Sequence, residues 1–522
     1  MNRSPAGRGV VSLLLAATAL RLLLGRSVGL SVDESYATVM SRQLSLSYFD
    51  HPPMMFWWAG LAARLAGSED RLAVRLPFIL AFVATTWLLF RLGAFLFGRE
   101  AGFWTAVLLN VSLFFSVVAG GWVLPDGPLL LFSVAAAYCL ARATLSADGQ
   151  GAAMEKDPSP QPGRVHWWVG FGVCTGLALL AKYHGVILLV GAFAFLATSR
   201  RRAAWLARPE PYLALACSVL LFMPVLAWNL RHDWASFRFQ TGRAVPITDT
   251  WGTPFLDTLG GQATWILPWI WIPLVVVLFQ GLRTGPRDEG RWLLVCLGAG
   301  PIFGFTLLTA FGSRGLPHWE APGYFMLLPL LGASVARRLV GSRRRSTIAW
   351  LAGCVAGFLL VVSGFLAHLR TGWIARAFPE VVSRGDPTDD LLDWAPVAEQ
   401  LRAWSLPAPG AILATARWDD AAKLAYAMRP SPGTTTTAVT CVGEDARGFA
   451  YVRDPEADLG RDIVLVVRRR PGAEPMRAYA PFFASLRSVG SVAIPRGNGD
   501  GVVVSVYLGT GLKRRLPRLR SL

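Results

Sequence analysis

Residues 30–58 read LSVDESYATVMSRQLSLSYFDHPPMMFWW, and the rest of the chain is organised around them. The stretch follows the first long apolar run and is not itself a membrane span. It opens on two adjacent carboxylates, Asp33 and Glu34. Asp50, His51 and a Pro-Pro pair follow, then Phe56, Trp57 and Trp58. Charges this close to a span are costly unless they face water, a partner or a substrate. A solvated loop joining two spans is the plain reading. The close succession of acid pair, His-Pro-Pro and aromatics favours a functional one.

Composition sets the outer bounds. The chain has 522 residues, 53% hydrophobic and 16% charged, with a mean hydropathy of +0.43. Globular domains carry about a quarter charged residues, so repeated apolar runs at this low charge mean a polytopic membrane protein. The net charge of +18 would suggest nucleic acid in a soluble protein. No zinc-finger spacing, P-loop or other nucleic-acid signature accompanies it. Arginines gathered in cytoplasmic loops, beside anionic lipid head groups, account for it better. The six cysteines are scattered and form neither a disulfide framework nor a metal cluster.

Apolar runs place spans near residues 10–28, 72–97, 103–118, 128–143, 212–230, 263–282, 292–311, 322–335 and 348–367. The run 167–198 is interrupted by Lys182, Tyr183 and His184 and reads as two short helices with a turn at the outer face. Together these make about eleven helices. Arg21 and Arg26, near the outer end of the first span, either attract a phosphate or snorkel. With the N-terminus in the cytoplasm, the inner loops hold Arg99, Lys156, Arg164, Arg200–Arg202, Arg283, Arg287, Arg291 and the arginines of 337–345, as the positive-inside rule requires. Asp33, Asp50, His51, Asp126, Lys182, His232, His318 and Glu320 then all fall on the outer side. A wrong helix count would scatter them over both faces.

Beyond residue 371 the chain turns polar, with β-type runs at 411–415, 463–467 and 502–508 and helical stretches at 391–404 and 419–428. The expected organisation is a transmembrane domain over 1–371, with a catalytic outer loop at 30–70, and a small extracytoplasmic α/β domain over 372–522. The basic tail with Lys513, Arg514 and Arg515 reads as solvated.

Several segments, in order, resemble the bacterial protein-mannosyltransferase-like and aminoarabinose-transferase-like enzymes of glycosyltransferase families 39 and 83. They are VDESYA with YFDHPPMMFWW, VLPDGPLLLF at 123–132, GLALLAKYHGVILL at 176–189, PVLAWNLRHDWASFRFQ at 224–240 and HWEAPGYF at 318–325. The resemblance implies a GT-C-like polytopic enzyme of the bacterial inner membrane. Such an enzyme takes a sugar from a polyprenyl-phosphate carrier and passes it, with inversion, to a lipid, glycan or protein acceptor on the periplasmic face.

That chemistry needs a base for the acceptor, and cations or hydrogen-bond donors for the departing phosphate. Asp33 matches the family's first-loop acid and is the expected base. Glu34 orients the acceptor, binds a metal, or is only an N-terminal helix charge ahead of Ser-Tyr-Ala-Thr. Asp126 matches the second family acid and would hold sugar hydroxyls or share the base role; it would also suit an N-cap for a helix beginning at Pro128.

His51 is a departure. The aminoarabinose transferases show Glu-Lys-Pro where this chain has Asp50-His51-Pro52, and their lysine contacts the carrier phosphate. Histidine does this only when protonated or as a hydrogen-bond donor, which argues against an aminoarabinose donor. Lys182 is the second phosphate candidate, with snorkelling as its alternative. Arg231, Arg238 and Arg243 share one outer loop and could hold an anionic carrier. Asp50, Tyr183, His318 and Glu320 are candidate substrate contacts. No cofactor is certain; a divalent cation on Glu34, His232 or His318 stays open, since their spacing is no recognised metal motif. Trp57, Trp58, Trp265, Trp269 and Trp271 suit an interfacial belt.

The main rival function is a polyprenyl-linked lipid flippase or transporter. It predicts inverted repeats and mid-membrane charges, whereas the ionisable residues here gather on one face. A third class, an inactive scaffold, leaves the Asp33 and Asp126 loops unexplained.

Overall fold

The computed structural model describes residues 5–145, 164–200, 202–242, 253–311, 315–316, 318–382, 385–429, 438–469, 474–497 and 499–517. Among these, seven helices are long and apolar enough to cross a membrane, or nine spans if each of two bent pairs counts as one. The expected eleven would need the helices Val165–Ala181 and Tyr183–Thr198 as well. Both are shorter than the roughly 20 residues that a span takes. The interruption between them is where the sequence places it. The first helix stops at Ala181, Lys182 is extended, a single 3-10 turn covers Tyr183–Gly185, and the helix resumes at Val186.

Two runs that look like straight spans are broken. The helices Arg99–Asn110 and Phe114–Gly121 meet at 80°. Arg21 braces this break. Its Nε donates to Ser116 O at 3.0 Å, and Nη2 donates to Asn110 Oδ1 and Ser116 Oγ at 2.9 Å each. Its guanidinium lies 4.3 Å above the Phe82 ring. Arg21 is buried, so it neither snorkels nor reaches for a phosphate. The second break parts Phe255–Ile266 from Pro268–Arg287 at 111°. Proline drives its predecessor out of the helical region, and Leu267 sits at φ 79°.

The chain divides into two compact units that do not follow chain order. The first comprises Met1–Leu23, Ser45–Met55 and Arg75–Leu360; the second comprises Leu24–Leu44, Phe56–Val74 and Val361–Leu522. The sequence places residues 30–70 with the membrane part and its boundary at 371. In the structure, two pieces of that stretch pack with the C-terminal part, because Tyr36 buries its ring among Phe56, Trp418 and Phe449 at 6.3, 5.4 and 6.1 Å.

In the first unit the helices Glu289–Ala310 and Ala321–Val340 cross where each presents a glycine. A Cβ on Gly298 or Gly323 would collide with the other's carbonyl oxygen. Small residues of this kind let membrane helices approach closely, and this crossing fixes the turn that carries His318 and Glu320.

The second unit holds a five-stranded sheet: β1 Ile412–Thr415, β2 Val439–Cys441, β3 Ile463–Arg468, β4 Phe483–Arg496 and β5 Gly499–Leu512, in the order β2-β1-β3-β5-β4. β1 runs parallel to β2 and β3, with Leu413 opposite Val439 and Val464; β5 is antiparallel to β3 and β4. Alternate residues face opposite sides. Leu413, Val464 and Val466 join Trp394, Leu401 and Leu424 in one core, while Ile412, Leu465 and Val467 join Tyr479 and Phe483 in another. β3 is therefore buried along its whole length, which is why it reads as a continuous apolar run rather than an alternating one.

The helix Trp418–Ala427 carries a buried lysine. Lys423 Nζ donates to the carbonyl oxygens of Leu30 at 2.7 Å and Asp390 at 3.1 Å. Burial, with Arg468 nearby, pushes its ammonium down to about 7, against the pull of Asp393, Asp390 and Glu34. The unfolded chain keeps that proton to about pH 10.4, so the unfolded state binds more protons between pH 7 and 10. This group's contribution to stability thus grows as pH rises through that window. Thermal unfolding of the purified full chain at pH 7, 8 and 9 should show the Tm gap between Lys423→Met and the parent moving in the parent's favour as pH rises. A gap constant with pH would mean that Lys423 keeps its ordinary affinity for the proton.

Candidate active site

In the first unit the site is built on interrupted helices. Asp126 opens the helix Asp126–Thr144 as its first residue. The expected N-cap for a helix starting at Pro128 is therefore not formed: the helix begins two residues earlier, and Asp126 makes no side-chain cap. Its carboxylate instead takes a hydrogen bond and an ion pair from Lys182 Nζ at 2.9 Å. Both side chains are only 7% exposed. Lys182 stands where its helix gives way to the 3-10 turn, so the snorkelling alternative falls away: the ammonium points to a carboxylate in the protein.

Three histidines share this neighbourhood. Asp126 interacts electrostatically with Lys182, His318 and His184, and His184 does so with Lys182, Asp126, His318 and His51. His318 stacks on Phe114 at 5.5 Å, edge-on to Trp265 at 6.3 Å. Phe114 opens the second half of the span that Arg21 braces. His184 packs on Phe305 at 4.7 Å and Trp319 at 5.9 Å, and its buried Nε2 has no hydrogen-bond partner among the described residues. The sequence drew attention to His184 only as part of the helix break. A titratable residue next to Lys182 in an otherwise apolar run is the signal that could have placed it in the site.

The loop that bears His51 is held from the side. Tyr48 N donates to His51 O at 3.3 Å, Phe49 packs on Phe239 at 4.8 Å, and Gln240 Nε2 donates to Asp50 O. Tyr183 shares a 2.6 Å hydrogen bond with Ser236 Oγ and lies within electrostatic reach of Asp50. The short helix Ala235–Gly242 thus ties Asp50 and Tyr183 together through Ser236 and Gln240, which lie in the 224–240 segment but carry no titratable group to single them out.

Other expected contributors stand apart. His232 lies flat on Trp228 at 4.1 Å, with Nδ1 2.7 Å from Trp228 O, so that nitrogen carries the hydrogen. Arg231 and Arg238 are exposed. Arg243 lies outside the described residues. Glu320 is fully buried. Gln262 and Thr306 lie beside it; Gln262 also donates to Thr306 at 3.0 Å and accepts from Tyr324 at 2.7 Å. Burial pushes the Glu320 carboxyl up to about 7. Among the described residues no group of three or more His, Cys, Asp or Glu is placed to hold a metal ion, Glu34, His232 and His318 included.

In the second unit Asp33 and Glu34 lie in the first turn of the helix Val32–Met40. Glu34 completes a capping box: Ser31 Oγ accepts from Glu34 N at 3.2 Å, and Glu34 Oε2 accepts from Ser31 N at 2.9 Å. Of the readings open for Glu34, the structure shows the helix-terminal one. Asp33, one residue earlier, is exposed at the helix N-terminus.

The Asp126–Lys182 pair makes a direct prediction. Lys182→Met leaves a buried carboxylate without its counter-ion, at a cost of about 3–5 kcal/mol. Asp126→Asn/Lys182→Met removes both charges and should unfold at a higher temperature than Lys182→Met alone. Equal Tm values for the two would show that the charges are not energetically coupled.

Residues 50–154 and 158–228, which include His51, Asp126 and Lys182, match the dolichyl-phosphate-mannose-protein mannosyltransferase family. The chain is 27% identical over 307 residues to the lipid A galacturonosyltransferase RgtD of Rhizobium johnstonii; the alignment takes in 56% of this chain and 58% of that protein. Its structure resembles ArnT from Cupriavidus metallidurans bound to undecaprenyl phosphate, with a TM-score of 0.63 and 15% identity over 96% of this chain and 98% of ArnT. The apo form of ArnT gives a TM-score of 0.62 over the same coverage. The chain thus shares the ArnT fold over 96% of its length, and over part of its length it resembles known glycosyltransferases in sequence.

Proposed function

We propose that the protein moves a sugar from a polyprenyl-phosphate carrier to lipid A, on the periplasmic face of the bacterial inner membrane. The observation that carries this reading is the buried Asp126–Lys182 pair set among His51, His184 and His318. One carboxylate beside Lys182, with His51 and His318 in the same neighbourhood, suits an anionic ligand, and a carrier phosphate is one. Lys182 has three donors and gives one to Asp126. His51 and Lys182 would share the phosphate.

The transfer is a single inverting displacement. The acceptor hydroxyl attacks the anomeric carbon while Asp33 takes its proton. The bond from that carbon to the phosphate oxygen breaks, and the electron pair leaves with the polyprenyl phosphate. Asp126 holds the sugar hydroxyls. The lipid A acceptor and a uronic acid as the sugar follow the galacturonosyltransferase likeness, and a site rich in cationic groups would also favour a carboxylated sugar. The arginines of the inner loops support a cytoplasmic N-terminus and an outer site.

Mass spectrometry of membrane lipids from cells with and without the protein should show one sugar missing from lipid A and its polyprenyl-phosphate form accumulating. Asp33→Asn at normal membrane level should reproduce both changes. Full transfer by that variant would remove Asp33 from the mechanism, and unchanged lipid A with a redistributed carrier would favour a flippase. His51→Ala should raise KM for the lipid-linked donor about tenfold and leave KM for the acceptor unchanged. An unchanged donor KM would return the phosphate to Lys182.

A further inference from the structure

The helix that bears Asp33 is anchored on both sides by the C-terminal part of its own compact unit. Three residues before Asp33, the buried carbonyl of Leu30 accepts from Lys423 Nζ at 2.7 Å. Three residues after it, Tyr36 OH accepts from Gly448 N at 3.0 Å. Gly448 leaves room for that hydroxyl, because a Cβ there would collide with it. Further along, Arg42 forms a bidentate pair with Glu69 at 2.8 and 2.7 Å, and its Nη2 also donates to Ala425 O at 3.2 Å. Tyr426 OH donates to Glu69 O at 2.8 Å.

These partners have a common origin. Trp418 and Lys423 follow the carboxyl end of β1, and Gly448 and Phe449 follow that of β2. In α/β sheets, the loops beyond the carboxyl ends of parallel strands are where a ligand is received. Here those loops receive Tyr36 of the same chain. Arg447 closes over Trp418 at 3.7 Å, and Trp418 in turn meets Tyr36.

We infer that the C-terminal α/β part is a positioning device for the Asp33 helix, with Lys423 and Tyr36 as its positioning residues. The inference rests on the proposal that Asp33 is the base. Catalysis requires that base within a fraction of an ångström of its place, and a short helix exposed at its N-terminus does not hold such a position unaided. Lys423 fixes the backbone ahead of the capping box, and Tyr36 fixes the turn behind it.

The test uses the purified full chain, with undecaprenyl-phosphate-linked galacturonic acid and lipid A as probes. Lys423→Met should lower kcat at least tenfold and leave both KM values within twofold. Hydrogen exchange should rise in residues 24–44 and stay unchanged in β3 and β5. Tyr36→Phe, which loses only a hydroxyl, should lower kcat severalfold with the same exchange signature. The inference is overturned if both variants keep kcat within twofold of the parent while Asp33→Asn is inactive. It is also overturned if exchange in residues 24–44 is unchanged, or if it rises equally across the sheet while Tyr36→Phe turns over normally. Activity in Asp33→Asn, or no turnover of these probes by the parent, would instead defeat the functional proposal, and the exchange data would then decide the anchoring alone.

Discussion

Asp126 and Lys182 can be buried only because each is the other's partner. A lone carboxylate or ammonium in an apolar interior would be neutralised or expelled. The pair therefore does two things at once. It ties the start of the helix Asp126–Thr144 to the break after Ala181, and it sets a strong local field beside three histidines. The breaks matter because an unbroken apolar helix offers its backbone no free groups and its side chains no water. At two of the interruptions among the described residues a buried cationic side chain stands at the break. Arg21 does so at the 80° bend, and Lys182 stands at the interruption that leads to His184.

This field sits within a fold shared with ArnT. Phe114 links the Arg21-braced bend to His318, and Gly298 with Gly323 fixes the helix crossing behind it. The histidines are thus placed by packing remote from them. Glu320 is different in kind: burial outweighs the neighbouring Gln262 and Thr306, and the carboxyl is able to keep its proton near neutrality.

Much of this was legible in the residues. Apolar runs disclosed the spans, and the Lys-Tyr-His interruption disclosed a turn, because no apolar helix carries such a triplet without reason. β1, β3 and β5 showed as β-branched runs. β2 is too short to register, and β4 is an edge strand with much of its length exposed, so neither displays an apolar pattern. Pro268 was a visible signal for a broken span, but the length of the surrounding apolar run masked it. The arrangement of the second unit was not legible at all. Lys423 on an otherwise ordinary helix looks like a solvated lysine, and its partner Leu30 is hundreds of residues distant. Only the folded chain brings a carbonyl to that ammonium.

That distance has a consequence for biosynthesis. Leu24–Leu44 leaves the ribosome long before the helix Trp418–Ala427 exists. At 5–20 residues per second, the interval is about 20–80 s. Throughout it the nascent chain has its membrane helices available for insertion, but the segment bearing Asp33 has no counterpart to settle against. A chain stalled before residue 418 would sit in the bilayer with the helix Val32–Met40 unmoored. Reading order and packing order run in opposite directions here, and a later part of the polypeptide completes an earlier one.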